Sequence, residues 1–163
     1  MNIEDIIGNY KIFLDKVFQN LEKAGFAMDE FKELDHIAYR TETIERYEEL
    51  KNKLIGFSES FSDKIFNGRK ILVCRLKTPL NYAGFSIAGL EVLAPKENNK
   101  FKEGLEHAEF VTMLSLPEFR EKHSDIKFDL RAYDREENRE LVVEFGDCAA
   151  KFHEQNLLKV RNI

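Results

Sequence analysis

The stretch LDHIAYR, residues 34–40, mixes apolar and polar residues in an alternating, strand-like pattern. Alternation with a period of two is typical of a β-strand, whose successive side chains point to opposite faces of a sheet. A histidine and an arginine therefore share one face of this predicted strand. That face comprises Leu34, His36, Ala38 and Arg40, and the opposite face comprises Asp35, Ile37 and Tyr39.

A helix and three strand segments are predicted after this strand. Thr41 or Thr43 can cap a helix whose apolar residues recur at helical spacing until Gly56. A polar, Ser-rich stretch comes next, and the Asn67-Gly68 pair beyond it strongly favours a two-residue hairpin. Residues 34–95 are therefore predicted to form a βαβββ module.

The second half of the chain repeats a similar order. Residues 106–114 alternate as a strand, a short helix begins near Pro117, and residues 126–133 alternate again. The Gly146-Asp147 pair predicts a hairpin between the last two strands. Residues 106–153 are therefore predicted to form a second βαβββ module.

The remaining segments complete one predicted α+β domain over residues 1–163. Upstream of the first module, apolar residues at helical spacing predict a single amphipathic helix from about Ile3 to Ala24, within an N-terminal segment 1–25. A polar, Asn-rich joint at residues 97–100 separates the two modules. Short links between the later strands of each module favour antiparallel pairing there.

Composition argues against several classes of protein. The chain has 163 residues with 25 Lys+Arg and 30 Asp+Glu, a net charge of −5, whereas a nucleic-acid binder needs a clustered basic face. The apolar runs fall far short of the ~20 residues that cross a bilayer. Cys74 and Cys148 lie in apolar, strand-like runs, which predicts buried reduced thiols and a cytoplasmic location. We therefore expect neither a nucleic-acid nor a membrane partner.

Three of the four histidines lie in predicted strands. His36 and His107 are in the first strand of each module, His153 ends the last strand of the second, and Glu91 interrupts the last strand of the first. Imidazoles and a carboxylate suit a divalent first-row metal. A histidine in a strand is more often structural, but recurrence at corresponding strands favours a metal site formed by these four residues. His123, in a polar stretch, is predicted to be an exposed loop residue.

Four further residues could serve a ligand near these histidines. Arg40 could bind a substrate carboxylate or phosphate bidentately, assisted by Arg69 or Arg75. An exposed arginine or a structural ion pair explains each of them equally well. Glu109, two residues after His107, could orient that histidine or act as a general base. A cross-strand ion pair is the alternative for Glu109.

Several short motifs occur in a specific order along the chain: Asp35-His36-Ile37 with Arg40, Asn67-Gly68-Arg69, the Glu91 strand, residues 103–107 (EGLEH) with Glu109, and Lys151-Phe152-His153. Together they resemble the YecM-like family. That family is a branch of the vicinal oxygen chelate superfamily, which also contains glyoxalase I, extradiol dioxygenases and bleomycin-resistance proteins. The resemblance implies two βαβββ modules that form a curled mixed sheet with a divalent metal, such as Zn, Ni, Fe or Mn, on its concave face.

Residue by residue, the resemblance implies metal ligands at His36, Glu91 and His107, with a fourth in the last strand of the second module. Many superfamily enzymes have a glutamate there, and this chain offers His153. A metal so held would act as a Lewis acid on vicinal oxygens and stabilise an oxyanion. We therefore expect a metal-dependent isomerase, lyase or oxidoreductase acting on a small oxygen-rich molecule, with Glu109 as the base.

Two other functions remain as alternatives. One is a non-catalytic module that binds or sequesters a small ligand, and the other is a partner-docking protein with a vestigial site. The resemblance allows a monomer or a homodimer.

Overall fold

A computed structural model describes residues 2–97 and 102–163, which form a curled, unclosed, seven-stranded mixed sheet. The strands are β1 (Phe31–Arg40), β2 (Ser58–Phe66), β3 (Arg69–Tyr82), β4 (Phe85–Leu93), β5 (Gly104–Thr112), β6 (Leu141–Glu144) and β7 (Ala149–His153). The α-helices are α1 (Glu4–Ile7), α2 (Tyr10–Lys23), α3 (Ile44–Ile55), α4 (Leu116–Lys122) and α5 (Leu157–Val160). The strand order β2-β3-β4-β1-β5-β7-β6 puts the first strands of the two predicted modules side by side at the centre.

The predicted α+β class with a curled mixed sheet is confirmed. The first module forms as β1, α3, β2, β3 and β4, and the Asn67-Gly68 hairpin joins β2 to β3 with φ values of 49° and 77°. The Ser-rich stretch after Gly56 belongs to the sheet of this module, because β2 begins at Ser58. Of the predicted Asn-rich joint at residues 97–100, residues 98–100 lie outside the described residues.

The second module has one regular strand fewer than expected. The predicted strand over residues 126–133 is reduced to an isolated bridge between Asp129 and Val142. The Asp129 carboxylate accepts hydrogen bonds from the backbone N–H and the guanidinium of Arg131. Such a local side-chain turn competes with strand pairing, which explains why the chain turns here instead of extending.

The N-terminal helix is also interrupted, so the prediction of one helix is wrong. Gly8 adopts a φ of 83° and ends α1. Asn9 then caps α2, because its side chain accepts hydrogen bonds from the backbone N–H groups of Lys11 and Ile12. Asparagine is favourable as an N-cap and unfavourable inside a helix, so the Gly8-Asn9 pair divides the segment.

The two faces of the sheet carry different side chains. On one face, α1 to α4 cover the main hydrophobic core, which includes Leu14, Phe110 and Phe152. On the other, only the short α5 covers a small apolar cluster through Leu157 and Leu158. The second face, here called the cavity face, therefore retains a cavity of about 970 Å³. None of the helices in the described residues is long and apolar enough to span a membrane.

The alternation predicted for residues 34–40 is broken inside β1. The register between β1 and β5 shifts between Leu34 and His36. Leu34 consequently packs in the main core together with Ile37 instead of sharing a face with His36. Asp35, predicted on the opposite face, forms a hydrogen bond with His153. A β-bulge redirects side chains in this way, and here it places two consecutive polar residues near the cavity face.

Candidate metal centre

Three ligand-type side chains meet on the cavity face: His36 of β1, Glu91 of β4 and His107 of β5. One ligand atom from each lies within 4.8 Å of the other two, and all three residues are buried. In the strand register, Ala38 pairs with both Glu91 and His107. The small side chain of Ala38 leaves the two larger ones free to approach each other across β1, and we call the three residues the triad.

The imidazoles of the triad lack hydrogen-bonding partners. Both ring nitrogens of His36 and of His107 are buried with no hydrogen bond to the described residues. His36 Nε2 lies 2.6 Å from Glu109 Oε2, and His107 Nε2 lies 3.5 Å from Glu91 Oε2, but neither contact is aligned as a hydrogen bond. A buried unsatisfied polar atom costs roughly 1–3 kcal/mol. Imidazole nitrogens and carboxylate oxygens crowded together without hydrogen bonds fit a divalent metal ion.

The Glu91 carboxyl is predisposed to bind a cation. Burial by itself raises its pKa, but the neighbouring His107 and His36 outweigh this effect, so the pKa lies below the usual value. For His36 the two effects have the opposite signs. Burial by itself lowers its pKa, but the carboxylates of Glu109 and Asp35 outweigh burial, so the pKa lies above the usual value. The centre therefore combines an ionised carboxylate with imidazoles in an anionic environment.

His153, which the sequence predicts as the fourth ligand, is not brought to the triad. Its Nδ1 lies 2.8 Å from Asn138 Oδ1, and its Nε2 lies 3.0 Å from Asp35 Oδ1. The Asp35 carboxylate also accepts a hydrogen bond of 2.8 Å from the backbone N–H of Leu157 and lies 3.3 Å from His36 Nδ1. His153 thus fixes Asp35 beside His36, and it supports a triad residue without joining the triad.

The strand register identifies a different residue as the counterpart of Glu91 in the second module. Glu91 pairs with Ala38, which lies two residues after His36 in β1. The corresponding residue of the second module lies two residues after His107 in β5, and it is Glu109. Glu109 pairs with Lys151 of β7, which is two residues before His153. The counterpart of Glu91 in the second module is therefore a lysine, whose protonated amine cannot bind a metal.

Lys151 is ion-paired with a glutamate that sequence reasoning missed. Its Nζ lies 3.2 Å from Oε1 of Glu140, a buried residue immediately before β6. Burial and the charge of Glu109 raise the pKa of Glu140 to about 7, against the opposing charge of Lys151. Extending the alternation of β6 backwards from Val142 by two residues would have placed Glu140 on the cavity face.

Glu109, the predicted base or orienting residue, lines the cavity. Besides its contact with His36, its Oε1 lies 3.9 Å from His153 Nδ1 and is buried without a hydrogen bond to the described residues. Burial by itself raises its pKa, but the charges of His36 and His153 lower it well below the usual value. Glu109 is therefore an ionised carboxylate that lines the cavity and is placed to orient His36.

The structure brings two of the three predicted arginines to the cavity. Arg40 lines it and pairs with Glu106 at 2.5 Å, and Arg69 lines it with two buried guanidinium nitrogens. Arg75 is not among the lining residues, because its guanidinium donates a 2.6 Å hydrogen bond to the backbone carbonyl of Ile163. Arg75 therefore anchors the last residue of the chain.

Comparison with known proteins identifies the family. The family described as YecM protein matches residues 2–162. This chain belongs to the YecM family. An uncharacterized protein from Haemophilus influenzae is 30% identical over 110 residues, which are 68% of this chain and 57% of that relative. The match therefore spans little more than half of that relative's length.

Solved structures similar to this YecM-family protein confirm the fold. The structural-genomics protein EC4020 has a TM-score of 0.75 and 20% identity, covering 98% of this chain and 94% of its own. Methylmalonyl-CoA epimerase from Streptomyces coelicolor, solved with 2-nitronate-propionyl-CoA, has a TM-score of 0.53 and 16% identity over 75% of this chain and 96% of its own. The epimerase from Mycobacterium tuberculosis has a TM-score of 0.55 and 13% identity over 78% and 91%. The chain therefore shares the fold of these epimerases.

One histidine of this YecM-family chain is placed differently from its prediction. His123 is buried, not exposed, and its Nε2 lies 2.9 Å from Glu30 Oε1. Its ring packs against Phe26 and Phe119, with centroids 4.4 and 4.8 Å apart. His123 is a core residue between α4 and the 3₁₀ turn Met28–Glu30, and the polar residues around it in sequence concealed this.

Gly89 leaves the space that His36 needs in the YecM-family site. The two residues pair between β4 and β1, and a Cβ on Gly89 would lie 2.6 Å from the His36 Cβ and 2.6 Å from the Asp35 carbonyl oxygen. We expect Gly89→Ala to lower the free energy of unfolding by about 1–3 kcal/mol, as overpacking does, and to weaken metal binding by displacing His36. Urea denaturation and metal titration measure both effects. Gly56→Ala is the control, because its Cβ would meet no atom closer than 3.5 Å; an equal loss there would contradict the steric argument.

Proposed function

We propose that this protein binds one divalent metal ion through His36, Glu91 and His107 and acts with it on a small oxygen-rich molecule. The observation that carries the proposal is the buried triad, whose imidazole nitrogens lack hydrogen bonds to the described residues and whose Glu91 and His107 line a cavity of about 970 Å³. That volume is typical of small-molecule sites. Mixed nitrogen and oxygen ligands suit Zn, Ni, Fe or Mn.

The arrangement supports catalysis by an isomerase, lyase or oxidoreductase. Three protein ligands leave coordination positions for water or substrate, as in catalytic metal sites. The bound metal would supply Lewis-acid stabilisation of a developing oxyanion. Glu109, ionised and lining the cavity beside His36, is the residue that would accept a proton. The epimerases with this fold are isomerases by name, which favours isomerisation among the three reaction types.

A non-catalytic module that binds a small ligand is the second candidate. Lys151 favours it, since it stands where many superfamily enzymes are expected to have a fourth carboxylate ligand. The predicted cytoplasmic location belongs to the same proposal, and the buried free thiols of Cys74 and Cys148 agree with it. All three triad residues come from one chain, so a monomer could form the centre.

Metal content tests the proposal directly. The chain is stripped with a chelator, reloaded separately with Zn, Ni, Fe(II) and Mn, and analysed for its elements after gel filtration. We expect about one metal per chain, and a loss of affinity of at least about 100-fold in His107→Gln, since even residues that merely orient ligands contribute 10- to 100-fold. His123→Gln replaces an equally buried histidine outside the triad and should retain the metal.

Unchanged metal content in His107→Gln would refute the site. If the metal binds, turnover of diketones, hydroxy acids and catechols distinguishes the two candidates. Metal-dependent turnover supports the enzyme, whereas metal binding with no turnover across the panel supports the binding module.

A further inference from the structure

Four cationic side chains and one aromatic ring line the same cavity. This cationic cluster comprises Arg69, Lys96, Arg135 and Arg161, with Phe66 among them. The guanidinium carbons of Arg135 and Arg161 each lie 5.4 Å from the centre of the Phe66 ring. Phe66 also pairs with Arg69 across the β2–β3 hairpin. The ring therefore holds two arginines from separate parts of the chain through cation–π contacts, and the backbone of Arg69 lies beside it in the hairpin.

Arg69 is partly buried and has no direct acidic partner among the described residues, although Glu91 and Glu106 act on its charge from a distance. Its Nε and Nη1 are buried without a hydrogen bond, and it forms no ion pair within residues 2–97 and 102–163. Burial and the nearby charge of Arg40 lower its pKa. Arg161 Nε is likewise buried without a hydrogen bond to any described residue. Buried cationic donors are costly unless paired, so these donors indicate a partner that the described residues do not supply.

The other cations in the cluster are also poorly neutralised. Burial lowers the pKa of Lys96, and the charges of Arg69 and Arg40 lower it further. Among the described members of the cluster, Arg135 alone has an acidic partner, Glu140 at 3.5 Å. Because Glu140 lies closer to Lys151, at 3.2 Å, it neutralises Arg135 incompletely. The cluster is therefore a locally positive surface in a chain whose net charge is −5.

We infer that the cationic cluster binds an anionic group of the substrate, a phosphate or a carboxylate, while the oxygen-rich end of the same molecule reaches the triad. Guanidinium groups bind both anions through charge-assisted hydrogen bonds, and one cavity is lined by the cluster and by Glu91 and His107 of the triad. Only the orientation towards the triad rests on the proposed function. Anion binding by the cluster needs no metal.

Two matched pairs of chelating ligands test this inference. Phosphoglycolohydroxamate and glycolohydroxamate share a metal-chelating hydroxamate and differ in the phosphate; succinic monohydroxamate and butyrohydroxamate form the corresponding carboxylate pair. Each is titrated calorimetrically into the metal-loaded full chain. We expect the anionic member of at least one pair to bind about tenfold more tightly, the gain of one charge-assisted contact, and the pair with the larger gain identifies the anion.

Substitutions locate the effect within the cavity. Arg69→Gln should reduce the advantage of the anionic ligand to below about threefold, a loss of most of that single contact. Arg75→Gln removes the same charge from the same strand, outside the cavity, and should leave the advantage intact. Thermal melting verifies that Arg69→Gln folds, and Lys96→Gln, at an exposed position, provides a second variant with the same expected direction.

The outcomes separate this inference from the proposed function. Equal affinity of both ligands in each pair, or equal losses in Arg69→Gln and Arg75→Gln, would overturn the inference while the metal site stands. Inorganic phosphate is also titrated into the chelator-stripped protein. If no metal binds, phosphate binding that is lost in Arg69→Gln supports the cluster, and phosphate binding indifferent to Arg69→Gln overturns it.

Discussion

Asp35→Ala is expected to lower the free energy of unfolding by about 3–5 kcal/mol, the loss typical of breaking a buried charged contact. The Asp35 carboxylate is fully buried and accepts a 2.8 Å hydrogen bond from the backbone N–H of Leu157. It also contacts His153 Nε2 at 3.0 Å and lies 3.3 Å from His36 Nδ1. Removing it leaves these donors unpaired in the interior and removes one hydrogen bond between α5 and β1.

Urea denaturation at neutral pH measures the loss, with Asp35→Asn as the control. The amide keeps the shape of the carboxylate and one acceptor for Leu157, so we expect a loss roughly half as large. Metal affinity should fall by about 10- to 100-fold in Asp35→Ala, because His36 loses a residue that orients it. A loss below about 1 kcal/mol in Asp35→Ala would show that the carboxylate does not hold this region together.

The local patterns that could be predicted from the sequence are those set by neighbours in the chain. Asn67-Gly68 marks its hairpin because both residues tolerate positive φ, and β1 is recognisable from its alternation. The three triad residues could be predicted because each lies in a strand whose type and order the sequence indicates. Their convergence depends only on β1 being flanked by β4 and β5.

The remaining features of the site depend on pairing between distant strands. The bulge between Leu34 and His36 arises where β1 meets β5, and a shift of one residue reverses the face of every later side chain. Likewise, the parallel register of β5 and β7 decides that Lys151, not His153, is the counterpart of Glu91. Alternation within β7 is satisfied by either residue, so no local pattern distinguishes them.

The cationic cluster was only partly predictable for the same reason. Arg69 was a candidate from its position after the hairpin, whereas Arg135 and Arg161 lie in a loop and after a short helix, where no periodicity indicates direction. Their contacts with Phe66 define the cluster, and such contacts are tertiary.

Lys151→Met is expected to lower the free energy of unfolding of the metal-free protein by about 3 kcal/mol near pH 8, because it leaves the buried acids beside it without their cation. Lys151 Nζ lies 3.2 Å from Glu140 Oε1, and its side chain is 23% exposed. Burial and Glu109 already raise the pKa of Glu140 to about 7, and removal of Lys151 raises it further. A carboxyl whose pKa is higher in the folded than in the unfolded state destabilises the folded protein as the pH rises above about 4.3, the pKa of the carboxyl in the unfolded chain. The defect should therefore be large near pH 8 and small near pH 5.

Charge and packing are separated by two further variants. Lys151→Arg keeps the cation and should be close to wild type, and Lys151→Met/Glu140→Gln removes both charges and should recover most of the loss. A defect that does not vary with pH, or a double variant no more stable than Lys151→Met, would assign the effect to packing.

Because Lys151 stands at the counterpart of Glu91, its ammonium also repels a cation bound to the triad. The rise in Tm on adding divalent metal should consequently be larger in Lys151→Met than in wild type, the opposite of the effect expected from a damaged site.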